Sequence, residues 1–244
     1  MKMSGNTVLV TGGGSGIGLA LATRWLTAGS RVIVCGRDAG KLAAAAAAHP
    51  GLETIRADIA SADGREALVA AVLKVAPDLD VLVNNAGIQR RGSFMTDAAP
   101  WTDRASELAV NLEAPLHLIA LLSAHLTARG YAAIVNVSSG LAFLPVRFAP
   151  VYAATKAALH SFTVALRAEL RATPVAVIEI IPPAVDTNLG GAGLHRDGVP
   201  LDDFADGVFT RLAQGDVEIG YGASDKFRQA TRPEIDAILQ KMNA

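Results

Sequence analysis

Short apolar runs, rich in β-branched residues, alternate with longer helix-like runs along almost the whole chain. The short runs cover 7–10, 31–35, 53–56, 81–83, 133–137, 175–181 and 217–219. The helix-like runs between them cover 17–28, 39–48, 61–75, 101–128, 152–172 and 201–214. Several short runs, such as Val32-Ile33-Val34-Cys35, are apolar at every position. A strand of that kind has no wet side, so it belongs in a parallel sheet covered on both faces. Regular β-α alternation therefore predicts an α/β chain with a doubly wound Rossmann fold, its seven-stranded parallel sheet carrying helices on both faces. With 244 residues, 51% of them hydrophobic, one large core is expected, a single catalytic domain over 1–244. The stretch 43–48 is all alanine and reads as a packed helix of the best helix former. The glycine-rich stretch 188–200 reads as a long loop of its own, a flexible substrate lid. The tail 224–244 reads as polar and charged.

Charge narrows the partners. A net charge of −1 offers no basic surface for nucleic acid. No uninterrupted apolar stretch reaches the roughly 18 residues of a membrane span, and the start reads as no signal peptide, so a cytoplasmic protein without a membrane partner is expected. Cys35 is the one cysteine; it reads as a small buried hydrophobe within a strand. His49, His117, His125, His160 and His195 show no metal-ligand spacing, so no metal is expected.

The run Thr11-Gly12-Gly13-Gly14-Ser15-Gly16-Ile17-Gly18 follows the first strand and opens the first helix. Glycines there let the backbone approach a pyrophosphate, and the helix start presents unpaired N–H groups to it. The glycine spacing is G-x-x-x-G-x-G rather than the common G-x-G-x-x-G, so the placement between strand and helix carries the reading. At the end of the second strand, Gly36 stands where an acid would bond an adenosine 2′-hydroxyl, and Arg37 follows. A guanidinium can pair with a 2′-phosphate, which favours NADP(H). NAD(H) stays possible: Asp38 could be the acid in a shifted register, and Ser15 offers no second cation.

Ser139 ends the fifth strand, Tyr152 follows thirteen residues later, and Lys156 four after that. On a helix, i and i+4 share a face. A lysine cation beside a phenol favours phenolate and lowers a pKa that is otherwise about 10. Such a tyrosine can trade protons in general acid–base chemistry, while Ser139 can bond an oxygen that gains charge as hydride arrives.

Together these motifs resemble the classical short-chain dehydrogenases/reductases, and the resemblance runs from Thr11 to about Thr187. Asn84-Asn85-Ala86-Gly87 resembles the family's motif beside the cofactor, and Asp58-Ile59 resembles its adenine-contacting pair. Asn111 matches the helix asparagine of the family's catalytic tetrad. The resemblance implies a nicotinamide-dependent oxidoreductase that interconverts a carbonyl and an alcohol. Tyr152 would give the proton, Ser139 would polarise the carbonyl, Lys156 would hold the ribose and tune Tyr152, and Asn111 would hold a relay water. Gly12, Gly14, Ser15, Gly16, Ile17, Gly18, Arg37, Asp58, Ile59, Asn85, Ala86 and Gly87 would bind cofactor with Tyr152 and Lys156. Pro182, Val185 and Thr187 would join them from the turn after the sixth strand. That turn reads Pro182-Pro183-Ala184-Val185-Asp186-Thr187, where the family has Pro-Gly-x-x-x-Thr, so its local geometry is expected to differ. This variant and the ending Val217–Gly222 resemble a branch named for D-alanyl-lipoteichoic acid biosynthesis.

The segment between Ser139 and Tyr152 carries Leu141, Ala142, Phe143, Leu144, Val146, Phe148 and Val151, with Arg147 as its one cation. An apolar, aromatic or otherwise hydrophobic ketone or alcohol is the expected small-molecule substrate. Gln89, Arg90 and Arg91 read as solvated groups or as contacts to an anionic substrate end. By the resemblance, the helices around Asn111 and Tyr152 imply a homodimer, and a tetramer would add the C-terminal region. Two other classes share these residues: a silent cofactor-binding sensor or scaffold, and an epimerase or dehydratase.

Overall fold

The computed structural model describes residues 1–243. The apolar runs form seven strands: β1 Thr7–Thr11, β2 Arg31–Gly36, β3 Leu52–Arg56, β4 Val81–Asn84, β5 Ala132–Val137, β6 Val175–Ile181 and β7 Glu218–Gly220. They pair in parallel throughout, in the order β3-β2-β1-β4-β5-β6-β7. The order reverses direction between β1 and β4. In such sheets the crevice at that switch, beyond the strands' carboxyl ends, is where a ligand seats.

Alternate residues feed the two faces. Val8 and Val10 of β1 join Val32 and Val34 of β2 in one core. Leu9, Ile33 and Cys35 point the other way into a second. Helices α1 Gly16–Thr27, α2 Ala39–Ala48 and α7 Leu201–Gln214 close the first core through Leu21, Trp25, Leu42, Ala45 and Phe204. Helices α3 Ala62–Val75, α5 Ala114–Thr127 and α6 Pro150–Glu169 close the second through Leu68, Val72, Leu118, Leu122 and Leu166. Edge strand β3 alternates buried and accessible positions, because only half of it is covered.

Two expectations need correction. The run 101–128 is not one regular helix: α4 Trp101–Leu108 passes through a π-helical turn, Ala109–Glu113, into α5. The tail is not merely polar. It forms α8 Ala223–Gln229 and α9 Arg232–Asn243, whose charges pair locally (Arg228 with Asp225 at 2.8 Å, Arg232 with Asp236 at 2.8 Å). Ala244 lies outside the described residues. The 27-residue run Trp101–Thr127 holds an 18-residue window of mean hydropathy 1.3, long and apolar enough by composition to cross a membrane, although charges and Pro115 interrupt the run as the sequence reading has it. Leu118, Leu122 and Leu126, all fully buried, pack it against the sheet as a core helix.

The stretch 188–200 is tethered at its ends. Val185 bridges Val199, and the N–H of Val199 donates to the Ala184 carbonyl at 2.9 Å. This is how the Pro182-Pro183 turn closes without a glycine.

Candidate active site

The glycine-rich loop is locked to the end of β4 by side chains. The Thr11 hydroxyl accepts from the N–H groups of Asn85 and Ala86, both at 3.1 Å. Asn85 Nδ2 donates back to the Thr11 carbonyl at 3.0 Å. Gly18 makes this approach possible: a Cβ there would stand 2.3 Å from Asn85 Nδ2 and 2.5 Å from the Gly12 carbonyl oxygen. Ser15 caps α1 by position, but its side chain makes no capping bond. The first amides of α1 therefore have no side-chain partner at the mouth of the crevice, as an anion site requires.

Around this loop lies a cavity of about 1200 Å3, long enough to run from the β2 end to α6. Gly12, Ser15, Gly16, Ile17 and Gly18 line it at the start of α1; Arg37, Asp58 and Ile59 line it after β2 and β3. Asn85, Ala86 and Gly87, then Pro182, Val185 and Thr187, line the middle. Gly14 does not line it; it sits against Leu42 of α2. No carboxylate occupies the end of β2, where Gly36 stands. Asp38 Oδ1 instead accepts from the Lys41 N–H at 3.0 Å and caps α2. Arg37 and Lys41 are the cations that line the cavity there. Cys35 is buried on β2, and burial pushes its thiol up to about 12, so it stays protonated. These residues fit a nicotinamide dinucleotide.

At the other end, Ser139, Tyr152 and Lys156 converge on one wall. Ser139 opens the short 3-10 turn Gly140–Ala142, its hydroxyl accepting from the Leu141 N–H at 3.1 Å. Tyr152 and Lys156 lie one turn apart on α6, with Lys156 Nζ 5.7 Å from the phenol ring centroid. Lys156 Nζ donates to the Val137 carbonyl at 2.7 Å. Burial pushes the Tyr152 phenol up to about 12; its hydrogen bond with Ser139 pulls the other way, and the Glu107 carboxylate adds to the rise. Burial pushes the Lys156 ammonium down to about 8, against the pull of Glu179. Without cofactor, the tyrosine is thus held protonated beside a lysine that gives up its proton at about 8.

Asn111 does not line the cavity. It is fully buried in the π turn and clamps the chain after Gly87. Its Oδ1 accepts from the Ile88 N–H at 2.9 Å, and its Nδ2 donates to the Ile88 carbonyl at 2.8 Å. Both ends of the amide are used by protein, so its side chain acts first as a brace. The buried Arg65 on α3 supports that turn. It donates to Glu113 at 2.5 Å, to His117 at 2.9 Å and to the Ile59 carbonyl at 3.0 Å. One guanidinium thus ties the Asp58-Ile59 loop to the Asn111 turn.

Of the apolar segment before Tyr152, Leu141, Val146 and Phe148 line the cavity, while Leu144 is fully buried and Phe143 packs on His160 at 4.6 Å. Arg147 is exposed and lies off the cavity. His195, from the 188–200 loop, lines it; α8 and α9 add Phe227 and Met242. Sequence reasoning missed Glu179. It sits on β6 with no exposed surface, accepting from Ser138 Oγ at 2.5 Å and bonding His160 Nδ1 at 2.8 Å. A lone acid in the otherwise apolar run of β6 was the available signal, because a buried carboxylate must find partners. No cluster of metal-ligating side chains occurs among the described residues.

A family model described as short chain dehydrogenase matches residues 6–195. The chain is 45% identical over 248 residues to a Bacillus subtilis (strain 168) protein named uncharacterized oxidoreductase DltE, covering 100% of this chain and 98% of that one. A short chain dehydrogenase from Burkholderia cenocepacia J2315, solved in complex with NADP, superposes with TM-score 0.82 at 28% identity, covering 98% of this chain and 99% of that one. A Burkholderia phymatum member solved with NAD shares the fold at TM-score 0.84 and 23% identity, covering 98% and 93%. By the family match over most of its length and the full-length likeness to DltE, the chain belongs to the classical short-chain dehydrogenase/reductase family, in its DltE-type branch, and is an NAD(P)-dependent oxidoreductase.

Proposed function

We propose that this protein reduces the carbonyl of an apolar ketone, and oxidises the matching alcohol in reverse, with NADP(H) as the favoured cofactor. The observation that carries the reading is the hydrogen-bonded Ser139–Tyr152 pair beside the Lys156 cation on one cavity wall. Bound nicotinamide supplies or accepts the hydride. Tyr152, held protonated by burial, gives its proton to the carbonyl oxygen. Ser139 orients that oxygen and stabilises its developing charge. Lys156 offsets the phenolate left behind and holds the ribose end. Leu141, Val146, Phe148 and Phe227 exclude water and favour an apolar substrate body. The NADP(H) preference rests on Arg37 and Lys41 at the β2 end, with the Asp38 carboxylate already committed to capping α2. Exposed Trp101 and Leu108 on α4, and Val164 on α6, support a homodimer through these helices.

The test is stoichiometric. With aryl and alkyl ketones, one NADPH should disappear for each alcohol formed, and NADPH should outpace NADH. Conversion of substrate with no net loss of NADPH would replace this reading with an epimerase or dehydratase. Cofactor binding with no turnover across the panel would leave a sensor.

A further inference from the structure

Gln89, Arg91 and His195 are among the polar side chains that line the cavity and have no part in the proton and hydride chemistry. Their surroundings set Arg91 apart from its neighbours. Arg90 is consumed by Asp103 at 3.0 Å and Asp97 at 3.7 Å, and Arg104 donates to the Asp97 carbonyl at 2.8 Å. Arg91 has no carboxylate partner among the described residues. Its Nε donates to Gln89 Oε1 at 3.4 Å, and its guanidinium lies 4.7 Å from the centroid of Phe148, a cavity-lining ring. These contacts orient the planar fork and leave its two terminal amino groups without a hydrogen-bond acceptor among the described residues.

The 188–200 loop closes onto the same corner. Gly190 has φ +75°, and a Cβ there would stand 3.2 Å from both the carbonyl and side-chain oxygens of Gln89. Glycine lets the loop lie on the buried Gln89 and carries His195 to the cavity. His195 Nε2 is buried with no hydrogen-bond partner among the described residues, while the other ring nitrogen bonds the Leu189 backbone. Burial, then the Arg91 charge, hold this imidazole below the ordinary histidine value; the Leu189 bond and Asp186 oppose them. Arg91 and Asp186 are the charged groups acting on it. An orphaned buried nitrogen is costly unless a ligand completes it, and the exposed Arg91 guanidinium beside it offers donors to an anion.

We propose that this corner receives the carboxylate of an oxo acid, with Arg91 taking its two oxygens and His195 bonding the same group. The inference rests on the ketone-reductase reading above and adds the substrate's charged end. One unpaired cation, with the Asp186 carboxylate nearby, matches a monoanion better than a phosphate dianion. The apolar span between the carbonyl and the carboxylate meets Leu141, Val146 and Leu189. Docking an anion beside the ring favours its protonated form, so binding takes up a proton.

The test uses 4-oxo-4-phenylbutanoate and 5-oxo-5-phenylpentanoate, each paired with its methyl ester, with NADPH at pH 6 and pH 8. For the better-fitting length, kcat/KM for the acid should exceed that for the ester by about tenfold or more at pH 6, and by less at pH 8. Arg91→Gln should bring the acid-to-ester ratio to about one, and Arg91→Lys should restore part of it. An ester reduced as well as its acid, a ratio unmoved by Arg91→Gln, or refusal of both pairs while other ketones are reduced would overturn the proposal. Calorimetric binding to the NADP+-loaded protein separates the two readings. An acid that binds about tenfold tighter than its ester without any ketone being reduced sinks the reductase and keeps the corner. Equal binding sinks the corner.

Discussion

Under the proposed reading, Arg37 carries the choice between the two cofactors. The end of β2 offers a guanidinium where a carboxylate would repel a 2′-phosphate, and the neighbouring Asp38 is turned away to cap α2. A guanidinium–phosphate contact contributes about 1.5–3 kcal/mol, so one residue can carry tenfold or more in preference. Arg37→Ser is expected to narrow the NADPH-to-NADH ratio of kcat/KM by about tenfold, read from initial rates with both cofactors. An unchanged ratio would move the preference to Lys41 or remove it. This position was legible in the sequence because the strand end and the helix start fix it within a residue. His195 was not, because a loop's path is set by tertiary contacts such as Gly190 on Gln89 rather than by periodicity.

Elements set the charge of the site. Strand β6 brings Glu179 beneath α6, where His160 sits one turn after Lys156. The Glu179 carboxylate supports the Lys156 cation against burial, which still drives it down to about 8. Reduction should therefore lose rate as pH rises through about 8, where Lys156 gives up its proton, while Tyr152 stays protonated well beyond. Glu179→Gln should move that break to lower pH in a kcat/KM profile. A uniform loss with the break unmoved would make Glu179 a packing group only. Glu179 also holds His160 above its ordinary value. That pair's stabilisation is fully present below about pH 6.5 and is lost as pH rises through the raised value. Strands and long helices were readable because burial on two faces leaves an unbroken apolar record. The π turn at Asn111 was not, since a bulge within one apolar run does not disturb its composition. Helices α8 and α9 were also missed. Their charges look like a solvated tail until local ion pairs and Phe227, a wall of the cavity, give them a place.

At the scale of the molecule, the strand order does the gathering. Parallel pairing sends every strand's carboxyl end to one side, so the loops after β1, β2, β4, β5 and β6 all meet the same cavity. Ser139 comes from the loop after β5, Tyr152 and Lys156 from α6, and the brace Asn111 from the turn between α4 and α5. The family match over 6–195 is a linear record of that convergence, and the least readable parts are the 188–200 loop and the tail helices that complete the cavity. The most direct test of the central claim is Tyr152→Phe, which removes one hydroxyl from the wall and leaves the ring in place. Turnover of a ketone should fall below about a tenth of the wild-type kcat, while the variant still binds NADPH with near wild-type affinity. A variant that binds NADPH and keeps more than about a tenth of kcat would contradict Tyr152 as the proton donor.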